Sequence, residues 1–238
     1  MKKLLFLLFP VFSYGQTSIT ISTNYTYSTT AIGAVVSETY TAGKLYIAVH
    51  MRVRAAATPN DFSLTGTSST WTEIANVTGV TTGAARARVK VWRYAPGSNV
   101  TEGLSFSGAG LEDSSIVVIW EITGTINTGT NGADAIVQIV TDAQDANANP
   151  TITLAALDPK NTVVAFFGNN VNPFGSTEES GWTELSEDGF NTPTTGGVFI
   201  SRHRTSDNTP SVTASASDWV GVAIELNSTG RRRAVIIN

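Results

Sequence analysis

The chain has 238 residues, carries a net charge of −4 and contains no cysteine. The missing cysteines exclude disulfide bonds, thiolate metal sites and a cysteine nucleophile, and the acidic balance does not favour a nucleic-acid partner. Only 14% of the residues are charged, against about a quarter in an average globular protein. Ser, Thr, Asn and Gly therefore supply much of the polar surface, and frequent Thr and Val favour β-strands.

The N-terminus has the three regions of an export signal. Lys2 and Lys3 precede an apolar run over residues 4–12, and Ser13 and Gly15 are the small residues before a cut at Gln16. The run is too short to cross a bilayer, and no later segment is long and apolar enough to do so. We predict a signal peptide over residues 1–15 and an extracellular or cell-surface location after Sec export, or alternatively a place in a virion. The alternative for the segment is a buried strand or helix.

The remaining chain alternates apolar and polar residues, and turn residues recur every eight to twelve positions or so, which is typical of a sandwich or jelly roll. The predicted strands of the first half are 18–22, 44–54, 70–75, 84–94, 104–107 and 115–123. Those of the second half are 135–141, 151–154, 162–167, 181–185, 197–205, 211–216 and 219–227. We predict an all-β fold, an antiparallel β-sandwich (jelly roll) built from two quasi-repeated halves.

Four short segments recur in the same order, which indicates an internal duplication of residues 31–124 as residues 134–227. The matched pairs are 45–49 with 162–166, 71–73 with 182–184, 89–93 with 198–202, and 119–122 with 223–226. The joint at 124–131 is a short Gly/Thr/Asn turn. These features favour one β-sandwich over residues 16–230 with a pseudo-two-fold relation between its halves. Two tandem small sandwiches are the alternative.

Several of these motifs are shared with a known group of modules. They are Ser69-Thr70-Trp71-Thr72, the alternating strand 88–94, Gly181-Trp182-Thr183, and the closing strand 219–226. In these features the chain resembles the jelly-roll modules found in phage virion proteins and secreted bacterial proteins. The resemblance covers most of the chain after residue 15. It implies a fold and a setting, but it carries no catalytic residues, because the shared motifs describe packing.

The candidate ligand-binding face is a row of basic and aromatic side chains on two predicted strands. It consists of Arg86, Arg88, Lys90, Trp92 and Tyr94 on one strand and His50, Arg52 and Arg54 on the other. Alternation places Ala87, Val89 and Val91 toward a core and this row outward. Cations beside aromatic rings can stack sugars or hold acidic glycans. The alternative is that outward charges only protect a strand from pairing edge to edge.

Catalytic and metal-binding patterns are weak. His50 and His203 are the only histidines, and a metal site or a Ser-His-Asp triad needs more convergence than they offer. Glu121 and Glu225 occupy equivalent positions, where alternation predicts that both face outward and pair with strand arginines. The residues Asp145, Asn147 and Asn149 begin like a calcium loop but lack its glycine and its closing glutamate. We therefore predict no cofactor, no metal and no enzymatic activity.

The chain ends in Arg231-Arg232-Arg233 followed by an apolar stretch to residue 238. This tail could dock on a protein neighbour as an added strand, or it could be frayed. The favoured hypothesis is a non-catalytic surface-contact module that binds a glycan or a host-surface receptor. The alternative is a structural protein of a phage virion (decoration, tail or fibre) or of a cell envelope, with protein-only contacts. A glycan-cleaving enzyme is disfavoured, and the oligomeric state is open.

Overall fold

The computed structural model describes residues 17–27, 32–54, 58–79, 86–108, 114–170, 176–191, 194–203, 205–214 and 217–229. The predicted signal peptide and the tail 231–238 lie outside these residues. The described chain is all-β, as predicted, with one short 3₁₀ segment at Thr130–Ala135 between the halves. None of the described ranges contains a helix that could span a membrane.

Each half of the chain supplies its own set of strands. The strands of the first half are β1 (Ser18–Tyr27), β2 (Ala34–Tyr40), β3 (Leu45–Arg54), β4 (Leu64–Gly66), β5 (Thr72–Thr78), β6 (Arg86–Tyr94), β7 (Val100–Phe106) and β8 (Ser114–Thr123). Those of the second half are β9 (Ile136–Asn147), β10 (Thr162–Asn169), β11 (Thr177–Glu178), β12 (Thr183–Asn191), β13 (Thr194–His203), β14 (Val212–Thr213) and β15 (Ser217–Leu226). The predicted strand at 151–154 is only a bridge from Thr151 to Ser211.

The two halves build sheets of the same strand order. The large sheet of the first half runs β1-β8-β3-β6-β5, and that of the second half runs β9-β15-β10-β13-β12. Each half adds a small sheet, β2-β7-β4 in the first and β11-β14 in the second. All pairings within the sheets are antiparallel. Thus β10 takes the place of β3, β15 that of β8, β13 that of β6, and β12 that of β5.

The strand registers extend this correspondence to single residues. Leu45 pairs with Ile122, and Thr162 pairs with Leu226, so the matches of 45–49 and 119–122 are in register. The two Trp-Thr-Glu motifs are also in register, and each is followed at once by a bulge, at Ile74 in β5 and Leu185 in β12.

The match of 89–93 with 198–202 is shifted by one residue in the structure. Arg93 pairs with Ile47, whose counterpart Val164 pairs with Ser201, so Arg93 corresponds to Ser201 and not to Arg202. In the same register His50 corresponds to Phe167 and Lys90 to Val198.

The large sheets pack face to face on a core drawn from both halves. β5 contacts β9, β6 contacts β15, β8 contacts β13 and β1 contacts β12. Exchanging the halves maps these four contacts on to one another. The central core includes Trp120 and Met51 from the first half and Phe166 and Phe199 from the second, all fully buried. Trp120 meets Phe199 edge to face at 5.3 Å between ring centroids.

Two glycines of the second half make room for this core. A Cβ on Gly168 would overlap with the sulfur atom of Met51, and a Cβ on Gly197 would lie 2.5 Å from the Phe166 ring. Such contacts are sterically forbidden, so the large rings and the glycines fit only as a set. The faces of the two halves are therefore complementary in shape without being copies of each other.

Each large sheet is also covered on its outer face. In the first half the small sheet β2-β7-β4 closes a second core that contains Tyr40, Tyr46, Phe62, Trp71 and Trp92. In the second half a third core contains Ile152, Leu154, Phe167, Trp182 and Trp219. The molecule therefore has four layers, in which each half is a small sandwich and the two large sheets share a core.

The connection between the halves is fixed to the first half. Asn131 adopts a left-handed conformation (φ 54°), which Asn tolerates better than most residues. Its amide nitrogen donates to the carbonyls of Thr70 and Arg93, and its Oδ1 accepts from the Ala95 backbone N–H. A single polar side chain thus ties the linker to the ends of β5 and β6.

Candidate functional site

The predicted ligand-binding face lies inside the protein. As predicted, Ala87, Val89 and Val91 face the central core, so the two faces of β6 were separated correctly. The opposite face is covered by the small sheet and residues 58–63, and the exposed fraction falls to 4% for Lys90, 2% for Trp92 and 8% for Tyr94.

On β3, His50 and Arg52 are fully buried (0%). The prediction that the row faces outward is therefore wrong for these five residues, because alternation identifies a shared face but cannot show whether another layer covers it.

The cations of this face are neutralised from within the chain. The Lys90 ammonium contacts the Phe62 carbonyl oxygen at 2.7 Å, Asp61 Oδ1 at 2.9 Å and Glu73 Oε2 at 2.9 Å. These three acceptors match the three protons of an ammonium group. The hydrogen bond from Lys90 is the main reason why the pKa of Asp61 lies below its ordinary value.

The three remaining arginines of the predicted row, Arg54, Arg86 and Arg88, are only partly buried. Arg88 contacts Asp61 Oδ1 at 3.2 Å and donates from Nε to Thr78 Oγ1 at 3.0 Å. Arg86 donates to Thr58 Oγ1 at 2.8 Å, and Arg54 stands opposite Arg86 on the neighbouring strand. These are the members of the predicted row that solvent reaches, and they adjoin no exposed aromatic ring of that row. The predicted combination of cations with exposed rings is not formed.

Arg52 and His50 form a buried pair between aromatic rings. Arg52 donates to the carbonyls of Ser107 (3.0 Å) and Gly108 (2.9 Å), and its guanidinium lies 4.1 Å from the centroid of the Phe62 ring. His50 packs between Phe62 and Phe106 at 4.7 and 4.5 Å between ring centroids. Burial, aided by the charge of Arg52, holds the pKa of His50 well below its usual 6.5. The imidazole is therefore neutral, and no substrate can reach it.

Because His50 is buried in its neutral form, the free energy of unfolding should decrease as the pH falls. His50→Phe should remove this contribution to the pH dependence. Phe is the residue at the equivalent position 167, so the ring should fit. The unfolded chain binds a proton at His50 near pH 6.5, whereas the folded chain excludes it until a lower pH. Wild-type stability should therefore be complete above about pH 6.5 and fall below it, by at most about 1.4 kcal/mol per pH unit.

The measurement is chemical denaturation of both proteins between pH 7.5 and 5. The free energy of unfolding should fall more steeply with acid in the wild type than in His50→Phe. His203, whose pKa is also lowered by burial, is present in both proteins and cancels. Parallel pH profiles would contradict the buried neutral state of His50.

The paired glutamates hold loops, and neither pairs with an arginine in the described contacts. Glu121 accepts from Lys44 Nζ (2.6 Å) and from the Tyr46 hydroxyl (2.9 Å). Glu225 is buried (1% exposed), so the outward prediction is wrong for it. It accepts from Gln138 Nε2 (2.6 Å), Asn161 Nδ2 (2.7 Å) and the Asp158 backbone N–H (3.1 Å). Segment 155–161 covers this carboxylate, and the sequence offered no signal for that.

The sequence patterns also gave no indication of two polar clusters, one beside Trp71 and one beside Trp182. Near Trp71, the buried Glu102 accepts from the backbone N–H groups of Ser68 (2.8 Å) and Ser69 (3.1 Å). Near Trp182, Asp207 accepts from the indole Nε1 (3.2 Å) and from Arg202 (2.6 Å). Both clusters fix turns, because backbone or ring N–H groups use the carboxylate oxygens.

A notch in the second half has an unused polar donor. It opens to solvent, has about 10 Å³ of space for a water-sized group, and is lined by Asp142, Gln144, Pro150, Ile152, Phe167, Trp219 and Gly221. Trp219 is buried (1% exposed), and its indole Nε1 has no hydrogen-bond partner. Asp142 and Gln144 are partly exposed. Only their position at the end of β9, opposite Trp219, could have indicated this juxtaposition, and that pairing requires the sheet register.

Metal-binding geometry is absent from the described ranges, where no group of three or more His, Asp or Glu residues is placed to hold an ion. Asp145 and Asn147 belong to the extended strand β9, so the calcium-loop pattern does not form a loop there.

Comparison with known proteins adds no relative: no family model, no curated protein and no solved structure matches this chain.

Proposed function

We propose that this protein is a non-catalytic structural protein of a cell envelope or a phage virion, whose contacts are with protein neighbours. One observation carries this proposal: the only basic and aromatic row that the sequence offered for a ligand is used to hold the protein's own layers together. Lys90, Arg52 and Trp92 are covered, and Arg88 is engaged by Asp61. A glycan-binding role for this face has lost its geometric basis.

We also propose that each half is a jelly roll and that the halves arose by duplication. An eight-stranded jelly roll places strands 1, 8, 3 and 6 in one sheet and strands 2, 7, 4 and 5 in the other. The first half has β1-β8-β3-β6 and β2-β7-β4, with β5 added to β6. The second half repeats the large-sheet order and the bulge after Trp-Thr-Glu. A shared ancestor explains this repetition more simply than independent origins do.

Protein contacts are supported by the place where the described chain ends. Thr229 donates from its backbone N–H to the Gly124 carbonyl at 2.8 Å, and Thr17 Oγ1 donates to the same carbonyl at 3.2 Å. Thr17 Oγ1 also lies within hydrogen-bond distance of Ser228 Oγ, at 2.7 Å. Thr229, which lies just before the basic tail in the sequence, is therefore held beside the start of β1. A basic, then apolar segment that follows an anchored residue suits strand addition to a neighbouring protein.

The test is assembly of the exported protein with and without residues 230–238. Purified protein should form oligomers or ordered particles in light scattering and electron microscopy. The deletion variant should remain monomeric with an unchanged melting temperature, because residues up to Leu226 supply the three cores described above.

The matched control replaces Arg231, Arg232 and Arg233 by Gln, which keeps the length and removes the charge. A monomeric wild type that also binds in a glycan array would overturn the structural role. A deletion variant that assembles like the wild type would overturn the role of the tail.

A further inference from the structure

The Trp219 indole N–H is a buried donor without a hydrogen-bond partner, a feature separate from the proposed structural role. A buried N–H without a partner destabilises the folded state, and such groups are rare in native proteins. Trp219 Nε1 is one of these groups. Unlike the equally orphaned Trp120 Nε1, it belongs to a residue that lines a notch with polar groups.

Trp120 shows what a dry site looks like. It is fully buried (0% exposed) in the central apolar core against Phe199, and it does not line the notch. The Trp120 indole N–H lacks a hydrogen-bond partner because the ring is packed among apolar side chains. At Trp219 the surroundings differ, because the polar residues Asp142 and Gln144 line the same notch, and Gln144 stands opposite Trp219 on the neighbouring strand.

The Asp142 carboxylate keeps acceptor capacity. Its Oδ1 accepts from the Ala143 backbone N–H at 2.9 Å, and its Oδ2 accepts from Gln144 Nε2. A carboxylate has about four lone-pair positions, so two such bonds leave room for another donor. Gln144 Nε2 also donates to the Thr151 carbonyl at 2.8 Å, which holds the carboxylate and the amide in place.

We propose that the notch is a binding site for a hydroxyl group, which accepts from Trp219 Nε1 and donates to the Asp142 carboxylate. A hydroxyl is the simplest neutral group that does both. Water and the hydroxyl of a small polyol or sugar share this chemistry. The space that a water-sized group can occupy is about 10 Å³, about what one water needs, so the notch holds a single water or one hydroxyl group that projects into it from a larger molecule in solvent. The ring faces of Phe167 and Trp219 are buried, so the site recognises a hydroxyl and not the face of a sugar ring.

The test is proton NMR of the full chain with ¹⁵N-labelled tryptophan. Trp219→Phe, which keeps a ring and removes the N–H, assigns the Trp219 indole signal. That signal should show a direct transfer from water, whereas the Trp120 indole, in the dry core, should show none. Glycerol and monosaccharides are then titrated as probes, and any shift at Trp219 should disappear in Asp142→Ala, with the Trp120 signal as the check that the variant is folded.

The outcomes separate the sources of the hydroxyl. Water transfer without a shift on titration identifies water as the occupant, and a saturable shift at Trp219 identifies a polyol or sugar. If the Trp219 indole behaves like that of Trp120, with neither water transfer nor a shift, the proposal is overturned. Because the notch lies within one chain, this result is independent of whether the protein assembles.

Discussion

Truncation of either repeated tryptophan should lower the free energy of unfolding by about 3–5 kcal/mol, the usual cost of removing a buried Trp side chain. Trp71 and Trp182 open equivalent strands and are 7% and 5% exposed. Each packs in the outer core of its own half. Trp71→Ala and Trp182→Ala should therefore unfold at clearly lower denaturant concentrations, as measured by equilibrium denaturation. An unchanged midpoint for either variant would contradict its packing role.

Replacement by Phe separates packing from hydrogen bonding at these two sites. Trp182 Nε1 donates to Asp207, whereas Trp71 Nε1 is buried without a partner. Loss of a hydrogen bond costs about 1 kcal/mol, and loss of an unsatisfied buried donor costs little. Trp182→Phe should therefore be about 1 kcal/mol more destabilising than Trp71→Phe. Equal losses would show that the bond to Asp207 adds nothing.

The second large effect is expected where the two large sheets meet. Phe166→Ala should cost about 3–5 kcal/mol, because it opens a cavity in the shared core. Gly197→Ala should cost about 1–3 kcal/mol by overpacking, since its Cβ would lie 2.5 Å from the Phe166 ring. Gly97→Ala is the matched control, because nothing lies within 4 Å of its Cβ position. Equilibrium denaturation of the three variants measures these differences.

A double-mutant cycle shows whether the two positions act through each other. Gly197→Ala should be less harmful in a Phe166→Leu background, where the smaller side chain leaves space for the added methyl group. Contacting residues commonly show coupling of about 0.5–3 kcal/mol. Strictly additive losses would mean that Gly197 is required for a reason other than the Phe166 ring.

Several predictions from sequence survive because they depend on local chemistry. The alternation of Ala87, Val89 and Val91 with charged residues fixes two faces of a strand wherever that strand lies. The Trp-Thr-Glu repeat predicted equivalent strands, and both motifs are followed by the same bulge. The match of 89–93 with 198–202 was one residue out of register, because similar letters in a short alternating strand fit two alignments almost equally well.

The prediction that the basic and aromatic row faces outward was wrong for a different reason. The all-β class, the order of the main strands and the side chains that share a face could all be read from the sequence. The sequence could not show that β2 and β4, a bulged strand and a three-residue strand, fold over β6, because short irregular strands carry almost no periodic signal. Nor could it place Asp61 beside Lys90 or Asp142 in the notch with Trp219. Whether a polar row meets solvent or another layer depends on contacts between segments that are distant in sequence, and these contacts exist only in the folded chain.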